Sequence, residues 1–194
     1  MAHESNKNAE TKGLIGEISK NTGVEIIKCY QCGKCSAGCP LATEMEYSPS
    51  LAMRMLQTNT SDYDEKLLTS QTIWLCVTCE MCISRCPMDI DIPKVMDYLR
   101  EKSLNRKKVN PKAKNILAFH KSFLNSIRRT GRLYEIGLLM DYKARTLTLV
   151  QDLSLAPGML LKGKLNIIPE MIKNRRLLSS IFKKTILKKK EESL

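Results

Sequence analysis

Eight cysteines carry the only obvious chemistry in this 194-residue chain, and all of them lie between Cys29 and Cys86. The first run reads Cys29-Tyr-Gln-Cys32-Gly-Lys-Cys35-Ser-Ala-Gly-Cys39-Pro40, the second Cys76-Val-Thr-Cys79-Glu-Met-Cys82-Ile-Ser-Arg-Cys86-Pro87. Both are C-x2-C-x2-C-x3-C-P, and each cysteine of the second run stands 47 residues after its counterpart. A cubane [4Fe–4S] cluster needs one thiolate at each of four iron corners. Three cysteines at intervals of three wrap one loop around a cluster, and the fourth, followed by Pro, reaches the neighbouring cluster. The expected ligand sets are therefore Cys29, Cys32, Cys35 and Cys86 for one cluster, and Cys76, Cys79, Cys82 and Cys39 for the other. Such crossing makes folding of residues 29–86 depend on the clusters.

Other uses of cysteine fit less well. Structural zinc favours two separated C-x2-C pairs, which leaves the third cysteine of each run and the trailing Pro unexplained. Four disulfides do not suit a reducing compartment. The two histidines, His3 and His120, are remote from the cysteines in sequence, so a Rieske-type centre is unsupported. Gly33 and Gly38 would let backbone amides approach cluster sulfurs. Pro40 and Pro87 would start the next elements. Lys28, Lys34 and Arg85 either offset cluster charge and raise its potential, or are solvated surface charges. Trp74, the only tryptophan, is expected to pack over a cluster and shield it from water.

The elements that must position these residues read as helices. Residues 1–12 form a polar tail. Leu14, Ile15 and Ile18 suit a short helix that Asn21-Thr-Gly23 breaks. Ser48-Pro49 opens a helix to Gln57, with Ser48 as cap and Pro in the first turn. Ser61 to Leu68 begins another with acidic residues in its first turn. Asp91-Ile-Pro93 starts one that runs to about Leu104. Asn110-Pro111 opens a helix that Gly131 stops, and Leu133 to about Leu149 carries a further apolar stripe. Ala156-Pro157-Gly158 marks a loop, and Ile168 to Leu187 has apolar residues at helical spacing with lysines and arginines between them. A helical insert between the motifs separates this chain from small ferredoxins built on β-hairpins. The expected domains are a cluster domain over 13–105 and a basic helical extension over 106–194.

Charge divides close to that line. Residues 1–99 hold 9 Lys/Arg and 13 Asp/Glu, a net of −4; residues 100–194 hold 23 and 7, a net of +16, which together give the chain's +12. The basic half suits docking to partner subunits, an anionic membrane surface or nucleic acid. Nucleic acid is the weakest of these, since aromatics are 5% of the chain and no binding motif is present. No phosphate loop, dinucleotide fingerprint or nucleophile–base arrangement occurs, so this chain is not where bonds are broken. The start, MAHESNKNAETK, has no apolar segment, and no run is long enough to span a bilayer. A cytoplasmic protein is expected.

The cysteine runs, together with Ile73-Trp-Leu before the second one, resemble the C subunit of the soluble heterodisulfide reductase of methanogenic archaea. So do Phe119-His-Lys-Ser-Phe123, Gly131-Arg132 and Ala156-Pro157-Gly158-Met-Leu-Leu-Lys-Gly163-Lys. The resemblance implies an α-helical ferredoxin fold with two [4Fe–4S] clusters. It also implies partners: the flavin-bearing, electron-bifurcating A subunit, a hydrogenase or formate dehydrogenase that feeds it, and the catalytic B subunit. This last partner reduces the heterodisulfide of coenzyme M and coenzyme B through clusters held by CCG motifs, and the present chain has no adjacent Cys-Cys pair. Two rival expectations are a relay subunit of a quinone-linked dehydrogenase of the succinate or glycerol-3-phosphate kind, and a free-standing nucleic-acid-binding iron–sulfur protein.

Overall fold

The computed structural model describes residues 13–147, 169–174, 177, 178 and 180–185. The polar tail at 1–12 and the loop expected at Ala156-Pro157-Gly158 lie outside the described residues. Among those described, helices and turns account for all regular structure. None of the described helices is long and apolar enough to cross a membrane. The chain divides into two compact units, Met1–Ala113 and Lys114–Leu194.

The first unit holds seven α-helices among its described residues: α1 (Leu14–Thr22), α2 (Lys34–Ala37), α3 (Pro49–Gln57), α4 (Ser61–Thr69), α5 (Thr72–Leu75), α6 (Met81–Ser84) and α7 (Ile92–Asn105). Apolar spacing and end signals explain the longer ones. α1 buries Leu14, Ile15 and Ile18 and ends where Gly23 takes φ 73, a left-handed stop open to glycine. α7 begins with the Asp91 carboxylate accepting from the Lys94 N–H at 3.0 Å, and Pro93 stands in its first turn.

Two caps differ from expectation. Ser48 makes no side-chain cap on α3. The free N–H of Ser50 instead donates to Ser36 Oγ at 2.8 Å, so α3 is capped from within the first cysteine run. Asp64, in the first turn of α4, is buried and accepts from the Leu14 N–H at 3.3 Å. It thereby caps α1 across 50 residues of sequence.

α7 is the central strut: α1, α4 and α5 all pack on it, and α3 packs on α1, α2 and α4. Ile18, Leu56, Leu67, Leu68, Ile73, Val95, Met96 and Leu99 are fully buried between them. The chain beyond α7 stays with this unit. Arg106 and Lys108 both pair with Glu65, Asn110 donates to the Thr69 carbonyl at 2.8 Å, and Ala113 is buried. These anchors carry the first unit to Ala113, past the expected domain limit at 105 and past the charge boundary at residue 99.

The second unit contains α8 (Lys114–Thr130) and α9 (Glu135–Thr146), packed on each other. Phe119 meets Tyr142 edge to face at 6.0 Å. Gly131, at φ 85, closes α8. Its missing side chain leaves room for Ile172, whose Cγ1 would lie 2.2 Å from a Cβ there. Residues 177, 178 and 180–185 are helical as well.

Candidate iron–sulfur site

The two cysteine runs fold alike, residue for residue at the 47-residue offset. In the first, Gln31 (φ 63) and Gly33 (φ 74) flank Cys32 in the left-handed region; in the second, Thr78 (φ 50) and Glu80 (φ 61) flank Cys79 in the same way. Each loop curls twice around its middle cysteine and then enters a one-turn helix, α2 or α6. The fourth cysteine follows, its N–H bonded three residues back: Cys39 to the Ser36 carbonyl at 3.2 Å, Cys86 to the Ile83 carbonyl at 2.9 Å. α2 and α6 pack on each other, which brings each fourth cysteine to the opposite run.

Two cavities result. One, of about 320 Å³ with its mouth included, is walled by Cys29, Cys32, Cys35 and Cys86 together with Lys34, Ser50, Met53 and Ile90. The other, of about 400 Å³, is walled by Cys39, Cys76, Cys79 and Cys82 together with Met45, Pro49, Glu80 and Met96. Ile92 lines both and divides them. Each cavity thus draws three cysteines from one run and the fourth from the other.

None of the eight thiols is in a disulfide. Among the described residues no three Cys, His, Asp or Glu side chains converge closely enough for a single ion. A zinc centre needs four donors at about 2.0–2.3 Å from one point. Four thiols spread around an apolar hollow suit a multi-iron group with one ligand per corner instead.

The electrostatics agree with a group that brings its own positive charge. Burial pushes the Cys35 and Cys76 thiols up, and pushes Cys82 up to about 11, with the nearby Cys76 adding to it. Cys32 is exposed, and the Lys34 N–H beside it pulls its thiol down. Cys35, Cys76 and Cys82 would stay protonated alone, and iron bound there would draw the protons off. Main-chain donors are in place too: the Ile90 N–H lies 3.4 Å from Cys86 Sγ.

The flanking residues sort differently from expectation. Gly33 is there for its left-handed φ. Gly38 has an ordinary φ of −100; a Cβ on it would stand 2.6 Å from Arg85 Cδ, so its role is to seat the Arg85 side chain. Lys34 lines the first cavity from an exposed position; Lys28 and Arg85 are exposed and line neither. Trp74 lines neither cavity and does not shield either directly; it is buried in the core through α5. His120 sits on α8 beside Phe119, in the unit that holds no cysteine.

Two residues emerge that the sequence did not flag. Gln57, at the end of α3, donates to the carbonyls of Ile26 (3.2 Å) and Cys29 (2.7 Å). Arg100, in α7, donates to the carbonyls of Ile73 and Cys76. Those carbonyls are again 47 residues apart, but Gln57 and Arg100 are 43 apart, as are Met53 and Met96, one turn earlier in each helix. The loop from the fourth cysteine to the wall helix is four residues shorter in the second half, and the register slips accordingly.

Comparison with known proteins places this geometry. Residues 25–90 match the 4Fe-4S dicluster domain family, so this part of the chain is an iron–sulfur domain of that class, mainly helical as expected. The chain is further similar to subunits of methanogen oxidoreductases. It is 35% identical over 82 residues to the iron–sulfur C subunit, form 2, of CoB–CoM heterodisulfide reductase from Methanocaldococcus jannaschii, covering 40% of this chain and 42% of that protein. It is 35% identical over 97 residues to the C subunit of ferredoxin:CoB-CoM heterodisulfide reductase from Methanosarcina acetivorans, covering 50% and 37%. It is 28% identical over 108 residues to the C subunit of H(2):CoB-CoM heterodisulfide,ferredoxin reductase from Methanothermobacter marburgensis, covering 56% and 57%. The resemblance read from the motifs is thereby shown, over less than two thirds of each relative's length.

Proposed function

We propose that this chain is an iron–sulfur electron-relay subunit of a heterodisulfide reductase. It holds one [4Fe–4S] cluster on Cys29, Cys32, Cys35 and Cys86 and a second on Cys76, Cys79, Cys82 and Cys39. It passes electrons from the flavin-containing A subunit to the catalytic B subunit in the cytoplasm, with a hydrogenase or formate dehydrogenase as the source. The observation that carries this reading is the pair of neighbouring four-thiol cavities, each completed by a cysteine from the other run. Clusters bound there supply one-electron storage. The chain supplies the rest: eight thiols, buried Met53 and Met96 to keep water out, and Ile92 as the wall between the cavities.

Residues 13–105 act as the cluster domain and 106–194 as the docking arm. In support, the second unit leaves Phe119, Leu124, Leu139 and Met140 exposed on a basic background, the mixture that protein interfaces use.

Anaerobic purification from native cells tests this directly. The expected result is about eight irons per chain and co-purification of a flavoprotein and a protein rich in CCG motifs. Co-purification with a quinone-linked membrane dehydrogenase, or an iron-free protein, would overturn it.

A further inference from the structure

The two halves of the first unit are built on one plan, and the plan is broken at one position. In each half a wall helix sends a side chain to the carbonyls of the first cysteine and of the residue three before it. In the first half that side chain is Gln57, neutral; in the second it is Arg100, a cation. The methionines one turn earlier, Met53 and Met96, are matched and both fully buried.

Resting on the two-cluster reading above, we infer that Arg100 is a positioning residue that sets the two clusters apart in potential: its partly buried guanidinium, held on the Cys76 carbonyl, makes the cluster on Cys76, Cys79, Cys82 and Cys39 the easier one to reduce. A fixed positive charge beside a cluster favours its reduced, more negative form. Burial decides the magnitude. The Arg100 side chain is only 17% exposed, so its charge acts through a poorer dielectric than water. The charges that act the other way, Glu80 on the second cavity and Lys34 on the first, are exposed and screened. Asp97, which pairs with Arg100 at 2.7 Å, is 59% exposed and neutralises it incompletely. Electrons entering at the Cys29 side therefore settle on the Cys76 side, which gives the relay a direction.

The test is an EPR-monitored redox titration of the full cluster-loaded chain, with signals assigned through Cys39→Ser and Cys86→Ser. Arg100→Gln, which copies the first half's clamp, is expected to lower one potential only. At a fixed ambient potential the reduced-to-oxidised ratio of the Cys76-side cluster should fall about tenfold, which is ~59 mV for one electron. Arg100→Lys should recover most of the shift, since it keeps the charge while losing the two-pronged carbonyl contact. Gln57→Arg should raise the other cluster. If Arg100→Gln loses a cluster instead of shifting it, Gln57→Arg still decides. Two intact clusters with unmoved potentials in Arg100→Gln, a shift in the wrong cluster, or no rise in Gln57→Arg would each overturn the inference. A wild-type chain without two clusters would instead overturn the reading beneath it.

Discussion

Beside each middle cysteine the backbone is bent into the left-handed region, and only one of the four flanking residues is a glycine. Gln31, Thr78 and Glu80 accept that conformation at a cost of about 1–2 kcal/mol each. Gly33 shows what the position prefers, and nothing lies within 4 Å of a Cβ placed on it, so strain alone is in play there. Glu80→Gly should therefore stabilise the protein by about 0.5–1 kcal/mol, after allowing for the entropy glycine adds to the unfolded chain. Gly33→Ala should destabilise it by about 1–2 kcal/mol. Denaturant midpoints followed by the cluster's visible absorbance check both, and a destabilised Glu80→Gly would show that its carboxylate matters more than its backbone. At this scale the sequence was legible in the cysteines, because one thiol per iron corner dictates spacing. It was silent on Gln57 and Arg100. The 47-residue repeat points from Gln57 to Leu104, and only the shortened loop before α7 reveals the true partner.

Helices with strong end signals could be read in advance: Gly23, Pro49, Asp91 with Pro93, and Gly131 all mark real boundaries. The one-turn helices α2, α5 and α6 could not, since four residues are too few to show a period. Nor could the caps that Ser36 and Asp64 supply to other helices, because tertiary contact alone creates them. The contact between α1 and α7 is also tertiary. Glu17 pairs with Lys102 and accepts from the Tyr98 hydroxyl at 3.1 Å. Burial alone would raise the Glu17 carboxyl, but Lys102 and Tyr98 outweigh it and hold it below its ordinary 4.5. Its contribution is thus present above pH 4.5 and is lost as pH falls below that value. Tyr98 behaves oppositely. Burial and then Glu17 push it up to about 12, so what it contributes is present below pH 10 and fades as pH rises towards 12. Lys102→Met should flatten the acid limb of stability against pH and cost under about 1 kcal/mol at neutrality, since both partners are partly exposed. An acid limb unchanged by that substitution would show that the Glu17 pairing does not shape it. Leu99→Ala, in the fully buried middle of α7, should cost far more, about 2–5 kcal/mol, as a thermal melt would show.

For the whole molecule, charge and fold tell one story from two directions. The acidic, cysteine-bearing half lies wholly in the first unit, and the second unit is drawn wholly from the basic half. Charge divides the chain after residue 99 and contact divides it after Ala113, because Arg106 and Lys108 belong by charge to the basic half and by contact to the first unit. If the basic unit serves protein docking, the isolated chain should show no salt-sensitive binding to DNA or RNA; such binding, falling steeply with added salt in a filter or anisotropy assay, would favour the nucleic-acid reading. The crossed ligation of two clusters is the claim on which the rest depends. Spectroscopy of the Cys86→Ser chain tests it most directly. Crossed ligation predicts that the cluster held by Cys29, Cys32 and Cys35 is lost or altered while the one beside Cys76, Cys79 and Cys82 persists, and the reverse pattern would contradict it.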